Sequence, residues 1–292
     1  MIVVPGPASK ELGLKVAEIL GVNRIDVEAK FFPDGETYIR FMGEVKGEDL
    51  ILIQSTYHPQ DTHIMQLILL TETALNLGAK TVTVVVPYMA YSRQDKVFRP
   101  FEAVSIQTLI NLIGRCGASR LLTIDIHEPK VFDGVKIQAE NLSAMPAFID
   151  YFLKENLNGA VSFAPDKKAV KMATQIDETL QGGYGWFVKE RDRVSGEIKM
   201  TCESEFDIKG KNVIVIDDII SSGKTTAMAV RMLKEMGAKR VFSACVHPLL
   251  AGNAYEKIIG NGADAVIGTD TIPNKINVVT VAPVIAEAVK LK

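Results

Sequence analysis

The chain has 292 residues, of which 47% are hydrophobic, 7% aromatic and 23% charged. This length favours two domains, and the ordinary hydrophobic content excludes bulk disorder. The 33 Lys and Arg nearly balance the 35 Asp and Glu, for a net charge of −2. That balance argues against a nucleic-acid binder or a polybasic membrane binder. The chain has no Cys-x-x-Cys pair, which argues against a zinc finger or disulfide framework; its cysteines are Cys116, Cys202 and Cys245.

The N-terminal sequence Met1–Gly6 lacks the charged and apolar regions of a secretory signal. No apolar stretch approaches the ~18 residues that a membrane span needs. We therefore expect a cytoplasmic protein that binds neither membrane nor nucleic acid.

Short β-branched runs alternate with longer segments of helical periodicity. Nearly continuous apolar runs are typical of strands buried on both faces, and strand–helix–strand succession favours a parallel sheet. The predicted strands are Leu50–Ile53, Val82–Val86, Leu121–Asp125, Val213–Ile216, Val241–Val246 and Ala265–Ile267. The predicted helices are Asp61–Leu77, Ser105–Gly114 and Thr225–Met236. The C-terminal tail, Val278–Lys292, is predicted to form a strand and then a helix.

Three short patterns occur twice in the same order. The run Gly47–Gln54 resembles Gly210–Asp217. Two Gly-Ala turns that open strands recur as well, at Gly78 and Gly117 in the first half and at Gly237 and Gly262 in the second. Glycine suits such turns because it ends a helix in the left-handed conformation. We interpret the pattern as a tandem duplication of one α/β unit, joined near Asn141–Ala147. The alternative is two unrelated α/β units that share the same turns.

The segment from Gly182 to Gly210 is polar and charged. Tyr184–Val188 and Ile198–Thr201 are predicted to form the arms of a hairpin, and five charges fall in Lys189–Arg193. A long charged excursion inside a domain is usually functional or disordered. A solvated charged face is the alternative interpretation.

The strongest functional pattern is Val213–Thr226, an apolar strand that ends in Asp217 and Asp218 before a Ser/Gly/Thr turn and a helix. Ligands of open parallel sheets bind beyond the carboxyl ends of the strands, and a helix N-terminus binds phosphate. Two carboxylates there suit sugar hydroxyls or a metal. The alternative is that they only cap the helix, but two adjacent carboxylates at the end of an apolar strand are costly to place unless something binds them. A P-loop is excluded because its first glycine would have to stand at position 218.

This run resembles the phosphoribosyl pyrophosphate motif of type I phosphoribosyltransferase folds. The resemblance implies that Asp217 and Asp218 hold the ribose hydroxyls. It further implies that a turn cradles the 5-phosphate; its residues are Ser221, Ser222, Gly223, Lys224 and Thr225. Lys224 departs from the usual turn and is given no role. The first-half counterpart, Ile51–Tyr57, has lost both carboxylates, and this layout resembles the ribose-phosphate pyrophosphokinase family.

The resemblance implies an α/β fold of two tandem duplicated phosphoribosyltransferase-like domains, each a mainly parallel sheet flanked by helices. The expected ATP-side domain is 1–143, with the tail 278–292 packing back on it. The expected ribose 5-phosphate-binding domain is 144–277, with a mobile hairpin at about 184–202.

The implied reaction transfers the pyrophosphoryl group of Mg-ATP to the C1 hydroxyl of ribose 5-phosphate. Its products are 5-phosphoribosyl 1-pyrophosphate and AMP, for nucleotide biosynthesis. A nucleobase phosphoribosyltransferase and a non-catalytic regulatory relative are the alternatives.

Two first-half motifs resemble the family's ATP site. Phe31–Thr37 resembles a loop that contacts adenine across a subunit boundary, which implies a homodimer or larger homo-oligomer. Pro87–Lys96 resembles the family's ATP-binding sequence. The implied ATP-binding residues are Phe32, Asp34, Gly35, Glu36, Arg93, Gln94 and Asp95. Alone, the Asp-Gly of the first motif indicates only a turn.

The remaining resemblances concern metal and catalysis. His127, after a predicted strand, and Asp166, in a Pro-Asp pair, are the implied ligands of one or two Mg²⁺ ions. Imidazole is an unusual Mg²⁺ ligand, and Pro-Asp also starts helices. Lys189 and Arg191 match a Lys-x-Arg pair that closes over the reacting phosphates. They are the implied catalytic residues, and Arg191 is also expected to contact ribose 5-phosphate.

Overall fold

The computed structural model describes residues 1–191, 198–203 and 207–290, with only the backbone for 189–191, 198–200 and 203. The chain divides into two compact units. The first unit comprises Met1–Ala144, Asp270–Pro273 and the chain from Thr280, and the second comprises Met145–Thr269 and Asn274–Val279.

Val278 and Val279 were expected in the tail of the first domain but belong to the second unit, in the strand Asn277–Val279. Residues 270–273 were expected in the second domain but belong to the first unit. Two contacts account for this assignment. The Lys15 Nζ donates to Asp270 Oδ2 over 2.8 Å, and the Ser55 Oγ donates to the Thr271 carbonyl over 2.6 Å.

The first unit is built on a parallel sheet of five strands in the order β1-β4-β5-β6-β7. These strands are β1 (Ile2–Pro5), β4 (Asp49–Ile53), β5 (Thr81–Val86), β6 (Arg120–Ile124) and β7 (Gln138–Leu142). A separate antiparallel ribbon is formed by β2 (Val27–Phe31) and β3 (Thr37–Phe41). The helices are α1 (Lys10–Leu20), α2 (Gln60–Asn76), α3 (Ser105–Arg115) and α8 (Ala282–Lys290).

The second unit is built on a sheet of seven strands in the order β10-β9-β8-β11-β12-β13-β14. Its strands are β8 (Val161–Ala164), β9 (Tyr184–Arg191), β10 (Ile198–Glu203), β11 (Asn212–Ile220), β12 (Arg240–Pro248), β13 (Ala265–Thr269) and β14 (Asn277–Val279). All neighbouring strands run parallel except β9 and β10. The helices are α4 (Met145–Lys154), α5 (Val170–Leu180), α6 (Lys224–Glu235) and α7 (Ala254–Gly260).

The two units repeat one topology. The order β1-β4-β5-β6-β7 matches β8-β11-β12-β13-β14 strand for strand. The turns match as well: Gly47 N–H donates to the Gly78 carbonyl and Gly210 N–H to the Gly237 carbonyl, each over 2.8 Å. Gly78 and Gly237 both have φ +88°, a conformation that favours glycine. The predicted fold class is therefore confirmed, including its duplication.

Each sheet is covered on both faces, which explains the continuous apolar runs. In β4, Leu50, Ile51 and Leu52 are all buried although successive side chains point to opposite faces. Each fully buried Leu or Ile contributes about 1.5–3 kcal/mol relative to an exposed one. Among the described residues, no helix is both long and apolar enough to cross a membrane.

Several strand ends differ from the prediction, and two of these differences bear on the site. The strand predicted over Val213–Ile216 continues through both acids to Ile220, because Asp217, Ile219 and Ile220 keep their pairing with β12. The strand predicted to end at Asp125 stops at Ile124, because Asp125 adopts φ +37° and cannot continue an extended strand.

Candidate active site

The acid pair lies in the second unit, in the last third of β11. Asp217 and Asp218 are both half-buried. The Asp217 Oδ1 accepts from the Asp218 N–H over 3.0 Å, and the Asp218 Oδ1 accepts from the Ile219 N–H over 2.8 Å. These two bonds fix the orientation of the carboxylates at the ligand-binding edge of a parallel sheet.

Like charges crowd this edge. Burial, followed by the negative charges of Asp218 and Asp166, raises the pKa of Asp217 well above its usual value. Carboxylates brought together in this way are stabilised by a cation or by hydroxyl donors. This edge therefore fits sugar hydroxyls, or a divalent metal ion held by one or two of the carboxylates together with a bound ligand.

The turn after β11 leads directly into α6. Gly223 is the N-cap of α6 and has φ +68°, and a Cβ on it would lie 3.0 Å from the Ala254 carbonyl oxygen. Only glycine fits this position without strain. The first backbone N–H groups of α6 lack helical partners and carry the positive end of the helix dipole. Lys224 is exposed and Thr225 is half-buried at this terminus, so the turn can cradle a phosphate.

Contacts from another segment support the turn. The Leu250 N–H donates to the Ile220 carbonyl and the Ala251 N–H to the Ser221 carbonyl, each over 3.0 Å. The Lys257 Nζ donates to the Ser222 carbonyl over 2.9 Å. Sequence reasoning missed this support, because the donors lie about one helix and one strand further along the chain and form no motif.

Asp166 follows β8, the strand beside β11. It is half-buried, and its Oδ1 accepts from the Lys168 N–H over 3.0 Å as the N-cap of a short 3₁₀ turn. The helix-start interpretation of Pro-Asp is therefore confirmed. Its negative charge also reaches Asp217, so capping and a place in the acidic cluster coexist.

Cys245 is a further neighbour that the sequence did not predict. It is fully buried on β12, and its Cα is paired with that of Asp217. Burial and the charge of Asp217 raise the pKa of the Cys245 thiol. A neutral thiol thus lies beside the acid pair on the neighbouring strand.

The predicted hairpin arms are β9 and β10, which pair antiparallel. Lys189 is paired with Met200 and Arg191 with Ile198. Because residues two apart on a strand share a face, Lys189 and Arg191 lie on one face of β9. Their side chains lie outside the described part of the chain.

In the first unit, the predicted adenine loop is the turn between β2 and β3. The Phe32 N–H donates to the Glu36 carbonyl over 2.8 Å, and Gly35 has φ +94°. Phe32 is 46% exposed and makes an edge-on contact with Tyr38 at 5.8 Å between ring centroids. Asp34, Gly35 and Glu36 are exposed at the same tip. The turn thus presents an aromatic face and two acids to solvent.

The second predicted ATP loop follows β5. Tyr91 has φ +63°, and its hydroxyl donates to the Asp61 Oδ1 over 2.6 Å, which raises the pKa of Tyr91. The Gln94 N–H donates to the Tyr91 carbonyl over 2.9 Å. This tight turn leaves Arg93 exposed and Gln94 and Asp95 half-buried.

His127 lies three residues beyond the end of β6 and is half-buried. Two side chains fix the intervening loop: Asp125 Oδ2 accepts from the Ala144 N–H over 2.7 Å, and Asn141 Oδ1 accepts from the Ile126 N–H over 2.8 Å. His127 belongs to the first unit and Asp166 to the second. Within the described ranges, no three His, Cys, Asp or Glu side chains are grouped so that they could hold a metal ion.

Both halves match models of known families. Residues 1–117 match the N-terminal domain of ribose phosphate pyrophosphokinase, and residues 148–282 match the phosphoribosyl transferase domain. The strand–turn–helix site therefore lies in a domain of the phosphoribosyltransferase class.

Whole-chain relatives narrow the class further. The chain is 38% identical to the ribose-phosphate pyrophosphokinase of Sulfurisphaera tokodaii over 292 residues, 99% of this chain and 100% of that protein. The Methanobrevibacter smithii protein of the same name is 40% identical over 299 residues, with 99% and 100% covered. The structure is similar to that of phosphoribosylpyrophosphate synthetase from Mycobacterium smegmatis, with a TM-score of 0.87, 28% identity, and 99% and 97% of the two chains covered.

The chain belongs to the ribose-phosphate pyrophosphokinase family. It is an enzyme of the diphosphotransferase type, and its activity is the synthesis of phosphoribosyl pyrophosphate. The nucleobase phosphoribosyltransferase alternative is disfavoured because the family likeness covers both halves.

Proposed function

We propose that the chain transfers the pyrophosphoryl group of Mg-ATP to the C1 hydroxyl of ribose 5-phosphate, with the second unit binding the sugar phosphate. One observation carries this assignment. Asp217 and Asp218 lie near the end of β11, two residues before the glycine turn at the N-terminus of α6. Carboxylates accept from sugar hydroxyls and the turn donates N–H groups to phosphate, so the pair matches both ends of the substrate.

In the proposed complex, Asp217 and Asp218 accept hydrogen bonds from the two ring hydroxyls of ribose. The 5-phosphate lies in the turn formed by Ser221, Ser222, Gly223, Lys224 and Thr225. Burial and, after it, the neighbouring acids raise the pKa of Asp217, so hydroxyl donors that stabilise its charged form add to the binding energy.

The chemistry is an in-line displacement at the β-phosphorus of ATP. The C1 oxygen forms a bond to that phosphorus, the bond to the oxygen bridging to the α-phosphorus breaks, AMP leaves and the hydroxyl proton passes to solvent. Charge spreads over the phosphoryl oxygens, so positioning and electrostatic stabilisation supply most of the catalysis. We assign that stabilisation to Lys189 and Arg191, with Arg191 also contacting ribose 5-phosphate.

The acidic cluster fits Mg²⁺ by its chemistry. Mg²⁺ prefers oxygen ligands and keeps several waters, so one or two carboxylates together with substrate phosphates suffice to hold it. We propose that Asp166 and His127 contribute to binding one or two such ions. When bound with ATP, the ion neutralises charge on the triphosphate.

For ATP, we propose that Phe32 stacks on the adenine while Asp34, Gly35 and Glu36 contact its edge. Arg93, Gln94 and Asp95 are assigned to the same nucleotide. The exposure of Phe32 supports a role that a second subunit completes, so we expect a homodimer or larger homo-oligomer. Both substrates are cytoplasmic metabolites, and we expect the enzyme to act in the cytoplasm.

The test is ³¹P NMR of the purified protein with Mg-ATP and ribose 5-phosphate. We expect AMP and a diphosphate on ribose C1 to appear together, and no change when ribose 5-phosphate is omitted. Lys189→Ala should slow the reaction by lowering kcat more than it raises either KM. Intact ATP would contradict the proposal. Base-dependent pyrophosphate release from phosphoribosyl pyrophosphate would instead favour the nucleobase phosphoribosyltransferase. No reaction in either assay would favour the non-catalytic regulatory relative.

A further inference from the structure

Three consecutive carbonyls of the phosphate turn accept hydrogen bonds from one region of the second unit, the β12–α7 loop and α7. The acceptors are the carbonyls of Ile220, Ser221 and Ser222. The donors are the N–H groups of Leu250 and Ala251 in the loop between β12 and α7, and the Lys257 Nζ on α7.

The direction of the carbonyls fixes the direction of the amides. In a planar trans peptide, the C=O and the N–H of the next residue point in opposite directions. The N–H groups of Ser221, Ser222 and Gly223 are therefore directed away from the β12–α7 loop, and we take this to be the phosphate-binding side of the turn. Successive amides aimed into one concavity form an anion site.

Lys257 is the side-chain member of this support. Leu250 and Ala251 use backbone N–H groups, whereas Lys257 is half-buried and uses its ammonium group over 2.9 Å. A cation on the Ser222 carbonyl also polarises that peptide, which makes the Gly223 N–H a stronger donor. The same helix contributes Ala254, which lies against Gly223, so α7 contacts both residues of this peptide.

We infer that Lys257 is a positioning residue for ribose 5-phosphate: by holding the Ser222 carbonyl, it aims the Gly223 N–H at the 5-phosphate. This inference rests on the proposed function, since it takes the turn to be the phosphate site. Lys257 itself does not touch the substrate.

The experiment compares Lys257→Met and Lys257→Gln with Lys257→Arg. Lys234→Met is the matched control, since Lys234 lies in the same unit and pairs with Asp264 over 2.7 Å, away from the turn. Ribose 5-phosphate binding is measured by calorimetry with Mg²⁺ and α,β-methylene ATP, which cannot be cleaved. Steady-state KM values for both substrates are measured in parallel.

We expect Lys257→Met to weaken ribose 5-phosphate binding and raise its KM about tenfold, the size of one charge-assisted hydrogen bond. The KM for ATP should stay within about twofold. Lys257→Gln should fall between Met and wild type, Lys257→Arg should restore wild-type binding, and Lys234→Met should bind ribose 5-phosphate normally.

Unchanged ribose 5-phosphate binding in Lys257→Met would overturn the inference, as would an equal rise in both KM values. Those outcomes leave wild-type turnover intact. Failure of the wild type to form phosphoribosyl pyrophosphate would overturn the proposed function instead, so the two failures are distinguishable.

Discussion

The same strand end is closed in one half of the molecule and built for a ligand in the other. In the first unit, β4 is followed by Gln54, Ser55 and Thr56, and all three are fully buried. In the second unit, the equivalent positions carry the half-buried Asp217 and Asp218. The strand order is the same at this point, but β4 ends at Ile53 while β11 continues through both acids to Ile220. Side-chain chemistry and this strand extension together separate a binding site from a structural element.

The first-half end is closed by hydrogen bonds within its own unit. The Gln54 Oε1 accepts from the Ala8 N–H over 2.9 Å, and its Nε2 donates to the Gln66 Oε1 over 3.1 Å. The Thr56 Oγ1 donates to the Tyr88 carbonyl over 3.0 Å and accepts from the Ala90 N–H over 2.7 Å. Polar groups satisfied in this way stabilise the strand end and have little to offer a ligand.

The largest expected effect comes from removing a carboxylate from the acid pair of the second unit. Asp218→Asn removes one of the two carboxylates proposed to bind the ribose hydroxyls. We expect kcat/KM for ribose 5-phosphate to fall at least about a hundredfold, from lost charge-assisted hydrogen bonds. Asp150→Asn, at an exposed acid of α4 paired with Lys154, should leave it unchanged. An Asp218→Asn enzyme of near-wild-type kcat/KM would contradict the assignment.

The next effect concerns the closed end. Thr56→Val should destabilise the protein by about 1–3 kcal/mol, because the Ala90 N–H loses its buried acceptor, whereas the Tyr88 carbonyl still accepts from the Thr56 N–H over 2.9 Å. The urea midpoint would fall, while the KM for ribose 5-phosphate of the folded protein should not change. Thr174→Val is the control, since the Thr174 hydroxyl donates to the Val170 carbonyl of its own helix. Equal losses in the two variants would argue against a special closure.

Two glycines with similar backbone angles allow the role of the turn to be tested separately from backbone strain. Gly223 and Gly210 have φ +68° and +74°, but only at Gly223 would a Cβ meet a neighbour, the Ala254 carbonyl at 3.0 Å. Both Ala variants should lose about 1–2 kcal/mol from left-handed strain. Gly223→Ala should also weaken ribose 5-phosphate binding in calorimetry, whereas Gly210→Ala should bind normally. Normal binding by Gly223→Ala would show that the turn tolerates displacement.

The smallest expected effect is a gain of stability. Burial and neighbouring acids raise the pKa of Asp217, so the folded protein disfavours its charged form. A raised carboxyl pKa contributes stability at low pH that is lost as the pH rises towards the folded-state value. In EDTA, Asp217→Asn should therefore raise Tm by a few degrees at pH 7.5 and by less at pH 5. A lower Tm of Asp217→Asn at pH 7.5 would contradict the claim that the folded protein disfavours the charged form of Asp217.

Much of this arrangement could be predicted from the sequence because it depends on local patterns. Strands such as β4 and β12 are buried on both faces and so appear as continuous apolar runs. The left-handed glycines at Gly78 and Gly237 mark where the next strand begins. The acid pair and its turn are contiguous in sequence, so their proximity followed directly.

The parts that could not be predicted depend on distant partners. The extension of β11 through two acids is set by pairing with β12, which overrides the low strand preference of Asp. The closure of the first-half end needs Ala8, Gln66 and Tyr88, and no local pattern links them to Gln54 and Thr56. The Lys257 contact with Ser222 is likewise a tertiary event.

The most direct test of the comparison is the stoichiometry of ribose 5-phosphate binding, measured by calorimetry with Mg²⁺ and α,β-methylene ATP. We expect one ribose 5-phosphate per chain, with binding lost in Asp218→Asn and retained in Thr56→Val. Two ribose 5-phosphate sites per chain, or one site that survives Asp218→Asn, would contradict the claim that only the second half has a ribose 5-phosphate site.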